Sequence, residues 1–210
     1  MPDMAALVGL NQARLWDKHG MVSRRDPSDR SRKPLDAARL DELALAYVAR
    51  FATSRAKLTR YLERKIRESE WVDDRDARTA CEAVADRMER LRFLDDRQYA
   101  AMRAGAMTRR GLGLRRVKAQ LFVDGIADTD SGEAIAEAGE QAVAAAIGFA
   151  RRRRLGPFAV RPADDPKDRE RQVAAFARAG HSLPLPRRIL AVPPGDADAL
   201  AALDDAAMLD

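Results

Sequence analysis

The side chains from which catalysis or metal binding would be built are few in this chain of 210 residues: two histidines, one cysteine and a short run of glycines. His19 and His181 are far apart, and neither has a Cys or a second His at ligand spacing. His181 follows Gly180 at an expected helix end, where a cationic ring would suit the negative end of the dipole. The lone Cys81 excludes an internal disulfide and a Cys-x-x-Cys knuckle; among Ala, Glu and Val at helical spacing it reads as a small buried hydrophobe. Gly105, Gly111 and Gly113 invite comparison with a phosphate loop. No strand precedes them and no Gly-Lys-Ser/Thr follows, so they read as a turn between helices. No Gly-x-Ser-x-Gly elbow is present. The Asp pairs at 73–74 and 95–96 have no histidine nearby and read as helix caps. The expectation is a protein without a catalytic residue, metal or cofactor.

Segregated charge is what the sequence offers instead. Residues 100–126 carry six bases (Arg103, Arg109, Arg110, Arg115, Arg116 and Lys118) against one acid, Asp124. Residues 127–148 carry five acids and no base, and then Arg151, Arg152, Arg153 and Arg154 follow in succession, with Arg161, Arg187 and Arg188 beyond. Two readings stay open. The blocks are solvated faces that neutralise one another between modules, or they meet an anionic partner through Arg forks on phosphate or carboxylate oxygens. Arg outnumbers Lys by 32 to 6, which a genomic bias would also produce, so the arrangement must carry the argument. Arg109, Arg110, Arg115, Arg116, Lys118 and Arg151 to Arg154 are the candidate partner- or DNA-binding residues. Phe149 and Phe158 are the only aromatic platforms near them, which speaks against sequence-specific reading of a single strand.

The elements that must position these residues are helices. Val, Ile and Thr make up 21 residues, about a tenth of the chain, while Ala, Leu, Arg and Glu dominate, so the fold class is all-α. Leu40, Leu43, Tyr47 and Phe51 form one helical face behind a capping Asp36; Leu58, Leu62 and Ile66 form the next behind Ser54. Trp71-Val72-Asp73-Asp74-Arg75 recurs 22 residues later as Phe93-Leu94-Asp95-Asp96-Arg97. Each reads as a hydrophobic staple and an Asp cap, opening helices through Cys81, Val84 and Met88 and through Tyr99, Met102 and Met107. Leu114, Val117, Leu121 and Phe122 make a stripe stopped by Gly125; a helix or helix pair runs from about Glu133 to Arg154, another from Lys167 to Gly180, and a short one near Leu185 to Leu190. No apolar stretch is long enough to span a membrane.

Helix pairs recur as units, which predicts an array of three tandem three-helix repeats, elongated and curved, each repeat burying its face against a neighbour. The expected segments are a flexible extension over 1–34, repeats over 35–91, 92–138 and 139–192, and an acidic tail over 193–210 with room for one short helix.

Phe93-Leu94-Asp95-Asp96-Arg97-Gln98-Tyr99-Ala100, followed by Arg110 to Leu121 with Gly113, Val117 and Leu121 in register and then Gly125-Ile126, resembles the middle of the RecX family. Ser54, Leu58 and Leu62 are similar to its first module, and Phe176 to Gly180 with Ile189 to its last; the likeness covers about residues 40–190. Arg92 stands where the family usually has Gly, Lys57 where an acid or Gln is common, and His181 where an aromatic is expected. The resemblance implies three three-helix repeats and a non-enzymatic regulator of the RecA recombinase. Such a regulator binds the RecA–single-stranded DNA filament along its groove and restrains ATP hydrolysis, strand exchange and coprotease activity, in recombination, DNA repair and the SOS response. The expected protein is a cytoplasmic monomer with no cofactor and no membrane partner. The residues alone leave open a helical nucleic-acid binder that acts through phosphate contacts without a recombinase.

Overall fold

The computed structural model describes residues 32–161 and 165–207, with side chains through Leu203. The extension expected over 1–34, His19 included, lies almost wholly outside the described residues. From Pro34 onward the chain forms one structural unit. Its helices are α1 (Ala37–Val48), α2 (Arg55–Glu68), α3 (Ala77–Arg90), α4 (Asp96–Arg109), α5 (Leu114–Asp124), α6 (Asp128–Glu140), α7 (Ala142–Arg153), α8 (Pro166–Ala179), α9 (Pro184–Leu190) and α10 (Ala197–Ala207). The fold is all-α, as the composition predicts. Two short strands, β1 (Pro34–Leu35) and β2 (Glu70–Trp71), pair in parallel, a bridge too small for composition to reveal.

Buried side chains gather in three clusters. Leu40, Leu58, Leu62, Val84, Met88 and Leu94 form the first, around α1 to α3. Tyr99, Met107, Val117, Leu121 and Ile126 form the second, around α4 to α6. Phe149, Phe176 and Ile189 form the third, against which Leu203 of α10 packs. Each fully buried Leu, Phe or Met contributes about 1.5–3 kcal/mol of hydrophobic stabilisation. Cys81 lies in the first cluster as expected, and burial pushes its thiol up to about 11.

Asp36, Ser54 and Asp95 cap α1, α2 and α4, accepting from the amides of Arg39, Lys57 and Gln98. The first Asp pair is a correction, because α3 is capped by Asp76 and not by Asp73 or Asp74. Asp73 instead accepts from the first amide of α1, Ala37 N–H, at 3.1 Å. Asp96 does the same for α2, accepting from Arg55 N–H at 2.9 Å. Local pattern identifies a side chain able to cap, whereas tertiary packing decides which helix start it meets. Phe51 beyond the end of α1, Met102 in the middle of α4 and Phe122 near the end of α5 lie exposed, although the stripes assign them to the core. Phe122 follows Leu121 directly, and one residue turns a helix by about 100°. The helix or helix pair expected over 133–154 is a pair; it starts earlier, at Asp128, and divides at Gln141, two residues after Gly139.

Candidate functional site

Two joints between helix ends organise the surface. At the first, the C-terminus of α5 meets the N-terminus of α2. Ser54 Oγ donates to the carbonyl of Asp124 at 2.6 Å, and Arg60 Nη2 donates to the carbonyl of Val123 at 3.0 Å. Gly125 is left-handed (φ +76°), and a Cβ there would collide with Ala56. The buried Asp124 carboxylate accepts from Tyr99 Oη at 2.8 Å and Gln120 Nε2 at 3.0 Å, with Arg103 Nε at 3.5 Å and Lys57 Nζ at 3.7 Å. Burial works against the Lys57 ammonium, but its hydrogen bond to Tyr99 and the nearby Asp124 charge outweigh it and hold its pKa above the ordinary value.

The second joint repeats the arrangement, with the C-terminus of α8 meeting the N-terminus of α5. Gly113 N–H donates to Ala179 O at 2.9 Å, and Arg115 N–H to Gly180 O at 3.1 Å. A Cβ on Gly113 would collide with the Gly180 carbonyl. Gly111 (φ +74°) packs its backbone against Phe149 of α7. Its carbonyl accepts from His181 Nε2 at 3.0 Å, and the imidazole lies 5.5–5.6 Å from the Phe149 and Phe176 rings. These glycines are the interhelical turn the sequence predicts, and the amides of Gly113 and Arg115 already have partners, so they offer no phosphate cradle. The cationic role expected of His181 is corrected. The side chain is 2% exposed, and burial pushes its pKa below the ordinary value, leaving a neutral ring that donates to a carbonyl.

The nine predicted cations sit around this second joint. Arg109 ends α4 and Arg110 caps it; Arg115 and Arg116 occupy the first turn of α5, with Lys118 next. Arg151 to Arg153 form the last turn of α7, and Arg154 caps it in a left-handed conformation (φ +54°). Arg152 Nη1 donates to Arg109 O at 3.3 Å, which brings the α7 run onto the α4–α5 turn. All nine are exposed. Among the described residues none of them forms an ion pair. Arg55, Arg87, Arg97 and Arg103 each do. Of the acids over 127–148, Asp130 pairs with Arg97 rather than with the basic runs, so the blocks do not neutralise one another. Arg151 lies over Phe158 and Arg153 over Phe149, so neither ring is an open stacking platform. Sequence reasoning missed the Lys57–Tyr99–Asp124 chain, for which the only local signal was an Asp directly before a helix-stopping Gly.

These features define a tandem helical-repeat protein, with modules fastened end to end and an unneutralised basic surface. No protein-family model matches the chain. Two curated proteins match it. Regulatory protein RecX of Myxococcus xanthus is 30% identical over 72% of this chain and 83% of its own length, and that of Agrobacterium fabrum is 30% identical over 51% and 57%. The chain belongs to the RecX family of regulatory proteins. Crystal structures of RecX proteins share its fold, among them the following two. One, of a regulatory protein RecX, has TM-score 0.53 and 18% identity over 73% of this chain and 70% of that one. The other, RecX from Lactobacillus salivarius, has TM-score 0.51 and 16% identity over 83% and 97%. Among the described residues no helix is long and apolar enough to cross a membrane, and no acid, His or Cys cluster is placed to hold a metal.

Proposed function

We propose that the protein is a non-enzymatic modulator, chiefly an inhibitor, of the RecA recombinase. It binds the RecA–single-stranded DNA filament and restrains ATP hydrolysis, strand exchange and coprotease activity. The family supplies the regulatory reading. The observation that carries the residue assignment is the group of nine exposed, unpaired cations at the second joint. Helix stability favours acids in the first turn of a helix. α5 has none there and carries Arg115 and Arg116 instead. Their placement is explained by an anionic partner outside the chain, whether filament carboxylates or DNA phosphates. Arg109, Arg110, Arg115, Arg116 and Lys118 are the first contacts, and Arg151 to Arg154 the second.

The test adds substoichiometric protein to the cognate recombinase hydrolysing ATP on single-stranded DNA. A fall in rate well below one copy per recombinase supports the reading. An unchanged rate with DNA binding intact replaces it with an independent nucleic-acid binder. In that case about five phosphate contacts give a log–log salt slope near −3.5, at about −0.7 per contact on a single strand.

A further inference from the structure

At the first joint, a cleft of about 920 Å³ opens between α2 and the start of α4, with the end of α5 along its rim. Phe122 and Val123 stand on that rim 83% and 60% exposed, an adjacent apolar pair of the kind that marks interaction sites. The carboxylates of the cleft are all engaged. Glu89 pairs with Arg55 at 2.7 Å, and Asp130 pairs with Arg97 at 3.1 Å. Asp96 accepts from Arg55 N–H at 2.9 Å, and Asp95 accepts from Gln98 N–H at 2.9 Å. Two cations of the cleft have no ion pair among the described residues. Arg60 donates only to the carbonyls of Ala56 and Val123, and Arg92 is exposed at the other side. Arg92 also has φ +61°. After α4, α5 and α8 the left-handed position is glycine, whereas after α3, as after α7 at Arg154, the chain keeps an Arg in a conformation that glycine adopts without strain. An outlier of this kind motivates a functional reading of the side chain, here the Arg92 guanidinium in the cleft.

We propose that this cleft docks an acidic segment of a partner protein, whose apolar side chain packs on Phe122 and Val123 while its flanking carboxylates meet Arg60 and Arg92. Four carboxylates along the walls disfavour a polyphosphate strand, which carries a charge on every nucleotide, whereas a peptide places its acids only where the free cations stand. The inference is independent of the basic surface at the second joint.

The test is fluorescence anisotropy of the full chain with a short labelled peptide that alternates Glu and Leu around a central Trp. Saturable binding is expected, weakened tenfold or more by Arg92→Gly and by Phe122→Ser and unchanged by Arg115→Glu with Arg116→Glu. Arg92→Gly relieves the left-handed backbone, so a thermal melt at or above that of the parent separates lost binding from lost folding. Three results overturn the proposal. One is no saturable binding to the parent chain. Another is equal affinity in the Arg92→Gly and Phe122→Ser variants, or for a peptide with Gln in place of Glu. The third is an oligothymidylate that binds the parent and is lost in the same two variants, which makes the cleft a nucleic-acid site.

Discussion

The hydroxyl of Ser54 lies 2.6 Å from the main-chain oxygen of Asp124, 70 residues away, with both residues buried. The same hydroxyl accepts from Lys57 N–H, so one side chain caps α2 and fastens α5 onto it. Ser54→Ala removes the cap and leaves a buried carbonyl without a donor. The expected loss is about 1–3 kcal/mol, read by calorimetry as a fall of roughly 2–12 °C in Tm. An unchanged Tm would show that this bond contributes nothing to the joint.

The glycines differ sharply in what a methyl group would do. At Gly180 (φ +94°) a Cβ would lie 2.5 Å from Arg116 N, so Gly180→Ala forces two backbones apart. Its destabilisation in urea should exceed the roughly 1–2 kcal/mol of left-handed strain alone. Gly132, inside α6, has nothing within 4 Å of a Cβ. Gly132→Ala should stabilise by about 0.5–1 kcal/mol. Effects of the same sign at both positions would contradict the packing at the joint.

Acid should loosen the second joint. The folded pKa of His181 lies below its unfolded value near 6.5, because burial disfavours the charged ring. The unfolded chain therefore takes up the proton first. Its contribution is complete above about pH 6.5 and declines as pH falls through the lower folded value. Asp73 is held at about 2 by the amide and guanidinium of Arg75 and by the amide of Ala37; its contribution is lost only toward pH 2. Urea midpoints should drop between roughly pH 7 and pH 5, and His181→Phe should flatten that drop. A parent chain with no drop in this range counts against a buried neutral imidazole.

Charge reversal at α5 separates function from folding. Arg115→Glu with Arg116→Glu puts acids at a helix start, where each is worth about 0.3–1 kcal/mol. Helicity should be unchanged and stability equal or higher, while inhibition of recombinase ATP hydrolysis is abolished. Full inhibition by the folded double variant would sink the assignment of these residues.

The all-α class, the helix order and the turn at Gly111 to Gly113 were legible because period, caps and glycines are local signals. The Asp73 and Asp96 bonds to the starts of α1 and α2 were not, since a cap sequence does not say which helix it meets. His181 was misread for a similar reason. Gly180 just before it marks a helix end correctly, yet nothing local says that Phe149, Phe176 and the Gly111 carbonyl close over the ring. The basic runs were visible as charge, but only geometry shows that Arg152 reaches Arg109 while Arg103 turns inward to Asp124.

Both joints connect residues of nearly the same sequence separation, Ser54 to Asp124 and Gly111 to His181, each 70 apart. This imposes an order on assembly during synthesis. The first joint completes when Gly125 has emerged, and the second waits for His181, about 56 residues later. At about 5–20 residues per second, that interval is roughly 3–11 s. Through it the amides of Gly113 and Arg115 face water on a module already anchored behind, so the nascent chain grows from a finished edge toward an unfinished one.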